Sequence, residues 1–250
     1  IPLRVFIFLL IVIIGLLSSV ITAIIAALLL VEIISILPIS RKNKININIV
    51  SCFSIGLGAI LTPIGEPLST IVVSRLGLSF WSLLNQLGIY IIPGILILGL
   101  IGAWYGSKEK TKTENEEAGV DETNILILLR AIKIFLFIIA LELLGEGFKP
   151  IIEAYILPLD IRYLYWVNMS SAVLDNATLA AAEISVKMSP EQIKAVLIGL
   201  LVSGGIMIPG NIPNIISAGK LKIKSKEWIK LGAPLGISIM LVYYVILFVL

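Results

Sequence analysis

An acidic and an amide side chain, Asp175 and Asn176, stand next to each other inside an otherwise apolar stretch, residues 169–184. A carboxylate at the centre of a bilayer costs at least ~2.5–3.5 kcal/mol to insert, so it usually faces a protein interior or a water-filled cavity. Small residues surround the pair, among them Ser171 and Thr178, and their hydroxyl groups can serve as oxygen ligands. This stretch is therefore the first candidate for ion binding.

Two other apolar runs are interrupted by polar residues that could supply oxygen atoms. The first interruption reads T-P-I-G-E-P and contains Glu66, and the second reads P-G-N-I-P-N and contains Gly210, Asn211 and Asn214. Proline removes a backbone donor and glycine adds backbone freedom, so each interruption is predicted to break a helix. A broken helix frees backbone carbonyl groups and adds the partial charges of its half-helix ends.

These residue types predict a site for a hard monovalent cation, because sodium prefers carboxylate, amide and backbone oxygen atoms. Asp175, Asn176 and Asn211 are the predicted Na⁺ ligands, with Asn214 and Glu66 as further oxygen donors. A desolvated carboxylate can also take a proton, because burial disfavours its charged form. One group that binds either Na⁺ or H⁺, but not both, is a sufficient basis for exchange.

The composition predicts a multi-pass integral membrane protein of the cell membrane. The chain is 58% hydrophobic and 14% charged with a mean hydropathy of +1.07, whereas soluble domains carry about 25% charged residues. Several apolar runs reach the ~20 residues that span a bilayer. The absence of histidine excludes Ser-His-Asp catalysis and the usual zinc sites, and a single cysteine, Cys52, excludes an internal disulfide.

Three landmarks occur twice in the same order. The segment S-S-V-I-T-A at residues 18–23 matches S-A-V-L-D-N at residues 171–176, and the two Gly/Pro interruptions match at an offset of 146 residues. A tryptophan then opens the next apolar run in each case, at Trp81 and Trp228. Interrupted apolar segments in corresponding positions point to a transporter binding site. In the first half, the residues at that place are Ser18, Ser19 and Thr22.

The repeat predicts an all-α integral membrane fold of two inverted repeats, each with a re-entrant hairpin and a Gly/Pro-broken helix. The repeats are residues 1–106 and 125–250, and the polar residues 107–124 form a cytoplasmic linker. A polar turn at residues 41–44 is placed on the same side, so most Lys and Arg residues lie inside, as the positive-inside rule expects. The second half has a span before its hairpin, residues 125–144, so the first repeat is expected to lack at least one span.

Other charged residues receive surface positions. The lysines of the strip K-L-K-I-K-S-K alternate with apolar residues and are predicted to lie beside anionic headgroups on the cytoplasmic face; they are Lys220, Lys222, Lys224 and Lys226. Each could contribute about 1 kcal/mol there. Glu32 and Glu183, late in the hairpin arms, are expected to contact solvent.

The motifs S-A-V-L-D-N and P-G-N-I-P-N-I-I, with the weaker S-S-V-I-T and T-P-I-G-E-P, resemble those of the ion transporter superfamily. That group includes NhaD-type sodium/proton antiporters, arsenite pumps and divalent-anion/sodium symporters. The likeness covers roughly residues 18–250 and is closest to the branch of predicted cation transporters of archaea and bacteria. It implies hairpin tips and helix breaks that meet near the membrane midplane, and members are often dimers, which makes a homodimer a possible state.

The resemblance also implies roles for particular residues. The D-N pair of the antiporters corresponds to Asp175 and Asn176, and their G-N-x-x-N element begins at Gly210 and Asn211 and ends at Asn214. The first half departs from this pattern, because its hairpin tip has threonine and alanine where the second half has the D-N pair. The two potential ion sites are therefore expected to differ.

A secondary active transporter that exchanges Na⁺ for protons by alternating access is the predicted function. It would be no enzyme, would need no cofactor besides Na⁺ as the transported or coupling ion, and would have the bilayer but no nucleic acid as a partner. One alternative is a sodium-coupled carrier of an organic anion or an arsenite-type oxyanion, although two carboxylates without a nearby Arg or Lys argue against an anion carried alone. The other alternative is an intramembrane protease or a structural subunit, but Asp160 and Asp175 lack the glycine-rich context of aspartyl proteases, and a structural subunit needs no broken helices.

Overall fold

The computed structural model describes residues 1–106, 150–156 and 158–250, together with single positions between 132 and 148. The regular elements within these residues are all helical, as the sequence predicts. The predicted linker, residues 107–124, lies outside the described residues, and so does most of the predicted span at residues 125–144.

The first part of the chain contains five α-helices, and the break predicted inside its first apolar run is confirmed at Thr22, which has φ 75° and ψ 149°. The polar residues 41–44 are not the turn that the sequence predicts. They form the first helical turn of α3, because the Ser40 side chain accepts a hydrogen bond from the Asn43 backbone nitrogen at 3.4 Å. The helices are α1 (Leu3–Ile21), α2 (Ala23–Ile36), α3 (Arg41–Ala59), α4 (Pro67–Leu76) and α5 (Ser82–Tyr105).

The later part of the chain is interrupted more often. Its second break covers residues 205–211 rather than residues 209–214, so it begins earlier than predicted. Pro213 lies in the first turn of the following helix, where the missing N–H has no intrahelical partner to lose. The elements are a π-helical turn (Ile152–Ile156), α6 (Ile161–Val167), a 3₁₀ turn (Asn168–Ala172), α7 (Asn176–Glu183), α8 (Pro190–Gly204), a 3₁₀ turn (Ile208–Gly210), α9 (Ile212–Lys220) and α10 (Ser225–Phe248).

Three helices of the described chain, α1, α5 and α10, are long and apolar enough to cross a membrane. The two longest, α5 and α10, each have 24 residues and an internal proline, at Pro93 and Pro234; at 1.5 Å per residue each reaches about 36 Å. The broken helices α3 and α8 lie at the centre, since almost every residue of their C-terminal halves is buried. An all-α membrane protein is the architecture that these features support.

Helices α1 and α3 run side by side in the same direction and approach very closely. A methyl group on Gly58 would lie 1.7 Å from the carbonyl oxygen of Gly15, so a larger residue at position 58 would separate the helices. Hydroxyl groups bridge the contact, with Ser18 donating to Ile55 O at 3.0 Å. Small residues and interhelical hydroxyl contacts are the usual means of helix association in membranes.

Helix α2 returns along α3 in the opposite direction. At its start, the Ala23 nitrogen donates to Gly65 O at 2.7 Å, and near its end the Ser35 carbonyl accepts from Lys44 Nζ at 2.5 Å. In the second part of the chain, α8 packs beside α6 as α3 packs beside α1. The Ser203 hydroxyl of α8 donates to Asn168 O at 2.7 Å, so α8 lies along α6 and the 3₁₀ turn that follows it.

Helix α9 joins the two parts of the chain by packing against α3 in the opposite direction. Asn48 Nδ2 donates to Ser217 Oγ at 3.0 Å, and Arg41 donates to Lys222 O at 3.1 Å and to Glu227 Oε1 at 2.6 Å. Arg41 and the lysine strip therefore lie at the same end of the molecule. The four lysines of the strip are exposed while the residues between them, Leu221 and Ile223, are buried, which agrees with the predicted alternation.

Candidate functional site

Two short helices, α4 and α7, pack against each other and begin side by side. Glu66 is the N-cap residue of α4 and Asp175 is the N-cap residue of α7. The helices run in the same direction, because Arg75, near the end of α4, donates hydrogen bonds to Ala181 O and to Ile184 O (3.2 Å) at the end of α7. Both positively polarised N-termini therefore point to one place, where they favour negative charge.

Local sequence explains both helix starts. Pro67 occupies the first position of α4, and Ser69 closes its first turn by accepting from the Glu66 nitrogen at 3.3 Å and donating to the Glu66 carbonyl at 2.7 Å. In α7, one carboxylate oxygen of Asp175 accepts from the Thr178 nitrogen at 3.1 Å and from its hydroxyl at 3.3 Å. Aspartate is among the preferred N-cap residues because its side chain accepts from a free backbone nitrogen in this way.

The carboxylates of Glu66 and Asp175 lie within electrostatic reach of each other, although 109 positions separate them in the sequence. The Asn176 side chain approaches the Glu66 carboxyl group. It does so outside hydrogen-bond geometry, because Glu66 Oε1, Asp175 Oδ1 and Asn176 Nδ2 are all buried without a hydrogen-bond partner among the described residues. Two buried carboxylates repel each other, and a cation or a proton between them removes that repulsion.

The whole chain, residues 1–250, matches the model of one protein family, described as a protein of unknown function, DUF1646. The chain belongs to this family. No curated protein matches the sequence. The family description assigns no activity, so the function of this DUF1646 protein has to be argued from its site.

The second break lies against the start of α7. A methyl group on Gly210 would lie 2.5 Å from the carbonyl oxygens of Gly204 and Ser171, and one on Gly204 would lie 3.6 Å from Asn176 Cβ. The Ser171 hydroxyl donates to Leu200 O at 3.3 Å. Ser171, Asn176 and Gly210 are therefore close together, with a glycine where the backbones meet.

Asn211 and Asn214 have different roles in the second break. Asn211 is the N-cap of α9, with φ −154° and ψ 149°, nearly the same as the φ −157° and ψ 163° of Glu66. It faces α3, since a methyl group on Gly56 would lie 2.9 Å from Asn211 Nδ2. Asn214 stabilises the break, because its Nδ2 donates to Gly204 O at 2.8 Å and to Met207 O at 2.9 Å.

These N-caps refine the sequence match between the two breaks. The offset of 146 residues aligns Glu66 with Ile212, whereas the helix starts align it with Asn211, one residue earlier. The match between residues 18–23 and residues 171–176 needs no change. Thr22 is the N-cap of α2 and Asp175 is the N-cap of α7, at the predicted offset of 153 residues.

The predicted serines of the first half form hydrogen bonds inside helix packing. Ser18 Oγ donates to Gly15 O at 2.6 Å as well as to α3, and Ser19 Oγ donates to Leu16 O at 2.7 Å. Thr22 Oγ1 accepts weakly from Ile25 N at 3.4 Å. None of these contacts joins them to the carboxylates, so in the described chain they support the break more directly than they support the candidate ion site.

Two charged residues that the sequence did not single out as site residues, Glu183 and Arg75, lie at the C-terminal ends of α7 and α4. Glu183, at the end of α7, is 4% exposed and contacts the side chain of Asn168, which is fully buried. The expectation that Glu183 contacts solvent is wrong, because the last turn of α7 packs between α4 and the 3₁₀ turn that contains Asn168. Arg75, at the end of α4, binds the end of α7 through the hydrogen bonds given above. A single charged residue at the end of a short apolar helix was the available signal.

The donor set suits a hard monovalent cation or a proton. In the part of the chain that the structure describes, no three His, Cys, Asp or Glu side chains come together as a multidentate metal site would require. Glu66 and Asp175 would hold the cation with one carboxylate oxygen each, and backbone carbonyl groups at the breaks could complete the ligand shell. Thr178 is committed to Asp175 and orients that carboxylate.

Proposed function

We propose that this protein is a secondary active transporter that exchanges Na⁺ for protons by alternating access. The proposal rests on one observation above all: Glu66 and Asp175 cap two adjacent helix N-termini within electrostatic reach of each other, and each keeps a buried carboxylate oxygen without a partner among the described residues. A pair of this kind needs positive charge, and both a hard cation such as Na⁺ and a proton can supply it to carboxylate oxygens.

The helix breaks give the proposed site its setting. Irregular backbone at membrane depth is tolerated where it lines a cavity or is buried in protein. Half-helices that end near the membrane midplane are the usual way in which transporters present carbonyl groups and dipole ends to an ion. In this chain, the short helices α2, α4, α7 and α9 each begin at a break.

An inverted repeat is supported by the directions of these helices. Helix α2 runs opposite to α3, α9 also runs opposite to α3, and α7 runs in the same direction as α4. If each broken helix keeps its direction across its break, α6 to α9 have the directions of α1 to α4 reversed. We therefore propose two inverted repeats, each with a re-entrant hairpin and a broken helix, in a multi-pass protein of the cell membrane.

The positive-inside rule supplies the proposed orientation. Arg41, the lysine strip and the Arg41–Glu227 ion pair lie at one end of the molecule. Arg75 lies at the C-terminal end of α4, and the Lys187–Glu153 ion pair (3.0 Å) lies beyond the C-terminal end of α7, both away from the lysine strip. We place the end with the lysine strip in the cytoplasm.

The exchange proposal is tested with purified protein in liposomes that contain a pH-sensitive dye. An imposed Na⁺ gradient should drive protons in the opposite direction, and an imposed pH gradient should drive uptake of radiolabelled Na⁺. Protein-free liposomes and choline in place of Na⁺ are the controls. Vesicles that contain folded protein and show no Na⁺-dependent proton movement would overturn the proposal.

A sodium-coupled anion carrier is the second candidate, and the pair formed by α2 and α9 favours it. These helices pack together, and their N-caps, Thr22 and Asn211, carry no carboxylate. Helix N-termini without a built-in negative charge are suited to an anion. Uptake of a labelled dicarboxylate or oxyanion that requires Na⁺, in vesicles without Na⁺-driven proton movement, would favour this candidate over exchange.

A further inference from the structure

Four polar side chains are buried in the contact between α3 and α9. Asn48 and Cys52 come from α3, and Asn214 and Ser217 come from α9; we name this group the α3–α9 seam. Asn48 Nδ2 donates to Ser217 Oγ at 3.0 Å, Ser217 Oγ lies 3.2 Å from Cys52 Sγ, and it donates to Asn214 O at 3.3 Å. All four side chains are at most 1% exposed.

The hydrogen bonds of the seam use its amide donors and leave its two amide oxygen atoms without a donor. Asn214 Nδ2 lies between two carbonyl oxygens, so this atom must be the amide nitrogen. Ser217 donates to a carbonyl group, so it accepts from Asn48 Nδ2. Asn48 Oδ1 and Asn214 Oδ1 remain buried without a partner among the described residues. Bare amide oxygens without a nearby donor are suited to a cation that has lost its water.

The seam has a direction. At one end, Asn211 at the second break faces Gly56 of α3, and at the other end Arg41 contacts Lys222 O. Asn48 and Asn214 lie between these points, on helices that run in opposite directions. The seam contains no carboxylate, so it offers a passing cation only weak binding positions. Weak binding is what conduction requires, because the ion must also be able to leave.

We propose that the α3–α9 seam is the route by which the cation passes between the breaks and the end of the molecule that carries the lysine strip. The side-chain oxygens of Asn48 and Asn214 are its successive ligands. This inference rests on the proposed function, because it needs a cation that reaches the carboxylates of Glu66 and Asp175. It adds a path and two residue roles, one of them for Asn48, which no motif in the sequence indicates.

The chain carries its own reporter for this route. Cys52 is its only cysteine, and its thiol points at Ser217 within the seam. Silver is a monovalent cation with strong affinity for thiolate. We expect Ag⁺ supplied during turnover to inhibit transport and to block later maleimide labelling of Cys52 in the denatured protein. Excess Na⁺ should slow the block, and Ag⁺ should reach the thiol faster from the side of the lysine strip.

The control for silver is Cys52→Ser, which keeps a small polar side chain; whatever its own exchange rate, that rate should not be lowered further by Ag⁺. The route is overturned if Cys52 stays fully reactive to maleimide after exposure of actively transporting vesicles to Ag⁺. It is also overturned if Ag⁺ reaches the thiol faster from the face opposite the lysine strip.

A substitution tests the same route without silver. Asn48→Leu removes the bare oxygen and should lower the maximal exchange rate about tenfold, the effect of one modest polar ligand. Na⁺ binding to the purified protein should be unchanged, because the carboxylates remain. Ser51→Ala is the matched control, since Ser51 is equally buried on α3 but donates to Ile47 O of its own helix at 2.7 Å. Asn48→Ser replaces the leucine variant if that variant does not fold.

These results separate the route from the proposed function. Exchange that is intact in the wild type and unchanged in Asn48→Leu, with a Cys52 that Ag⁺ does not block, removes the route and leaves the carboxylate site standing. Absence of any Na⁺-dependent flux in the wild type removes the proposed function itself. Slow exchange in Asn48→Leu with weakened Na⁺ binding also contradicts the route, because it would make Asn48 part of the binding site.

Discussion

The pair α4 and α7 and the pair α2 and α9 have the same construction and opposite chemistry. In each pair, two short helices lie side by side in the same direction, and each helix starts at a break. The first pair has Glu66 and Asp175 as its N-caps, and the second has Thr22 and Asn211. Each pair joins a helix from the first part of the chain to a helix from the second part, and one pair gives an acidic location while the other gives a neutral one.

The difference between the pairs indicates a division of labour. In the acidic pair, two negative charges exceed what two helix N-termini can balance, since each terminus carries about half an elementary charge. That location therefore needs a cation or a proton. In the neutral pair, neither N-cap residue carries a charge, so this location has no comparable need for a cation. Substitutions at the four N-caps should consequently give unequal results.

The largest effect is expected for Asp175→Asn. Asparagine caps a helix as well as aspartate does, so α7 should still form. Loss of one buried charged partner is worth about 2–5 kcal/mol, and Na⁺-driven proton movement should therefore fall about 30-fold or more. The measurement is the dye assay in liposomes, with size-exclusion chromatography to check folding. Exchange at the wild-type rate would show that the acidic pair is not the site.

Glu66→Gln should have a smaller effect. Glutamine keeps an acceptor oxygen near Asn176 and leaves Asp175, the carboxylate predicted to be a direct Na⁺ ligand, so the apparent Na⁺ affinity should weaken about tenfold while exchange continues. Glu32→Gln is the matched control, because Glu32 is an exposed acid on α2. A loss as complete as that of Asp175→Asn would mean that each carboxylate carries an ion of its own.

Asn211→Ala tests the neutral pair. The Asn211 side chain makes no capping hydrogen bond, so the free energy of unfolding should change by less than about 1 kcal/mol. Exchange should slow about threefold if its amide oxygen lines the ion's path. Asn46→Ala, on the less buried side of α3, is the control. Loss of stability with normal exchange would reduce Asn211 to a structural residue.

The smallest effect is expected for Thr22→Gly. A backbone with φ 75° and ψ 149° is almost restricted to glycine and costs other residues about 1–3 kcal/mol. Glycine in place of an N-cap threonine costs only a few tenths of a kcal/mol. The variant should therefore be about 1 kcal/mol more stable in thermal unfolding and should exchange normally. A less stable variant would indicate that the threonine side chain holds the break.

The sequence predicted the local features of this arrangement. Proline, glycine and runs of small residues carry their own signal for a break, so the interruptions near Thr22, Glu66, Asp175 and Asn211 were found to within a few residues. The acidic pair in an apolar stretch stood out for the same reason. The polar residues 41–44 were misread because Ser40 caps a helix there, and a cap and a turn have similar compositions.

Contacts between the two halves could not be predicted. Glu66 meets Asp175 only because α4 packs on α7, and no local pattern records a contact over more than a hundred residues. The match between the breaks was wrong by one residue because it aligned Pro67 with Pro213. The N-cap Glu66 lies one residue before its proline, whereas the N-cap Asn211 lies two residues before its proline. Glu183 was expected in solvent because its burial depends on the same packing of α7.

The most direct test of the acidic pair is the effect of Na⁺ on the thermal unfolding of the purified protein. Ionic strength is held constant with choline, so that only specific binding changes stability. A ligand at 100 times its Kd adds about 2.7 kcal/mol to the free energy of unfolding. We predict a rise in unfolding temperature with Na⁺ for the wild type and none for the double variant Glu66→Gln/Asp175→Asn. An equal rise in both proteins, or none in the wild type, would contradict a cation site formed by these two carboxylates.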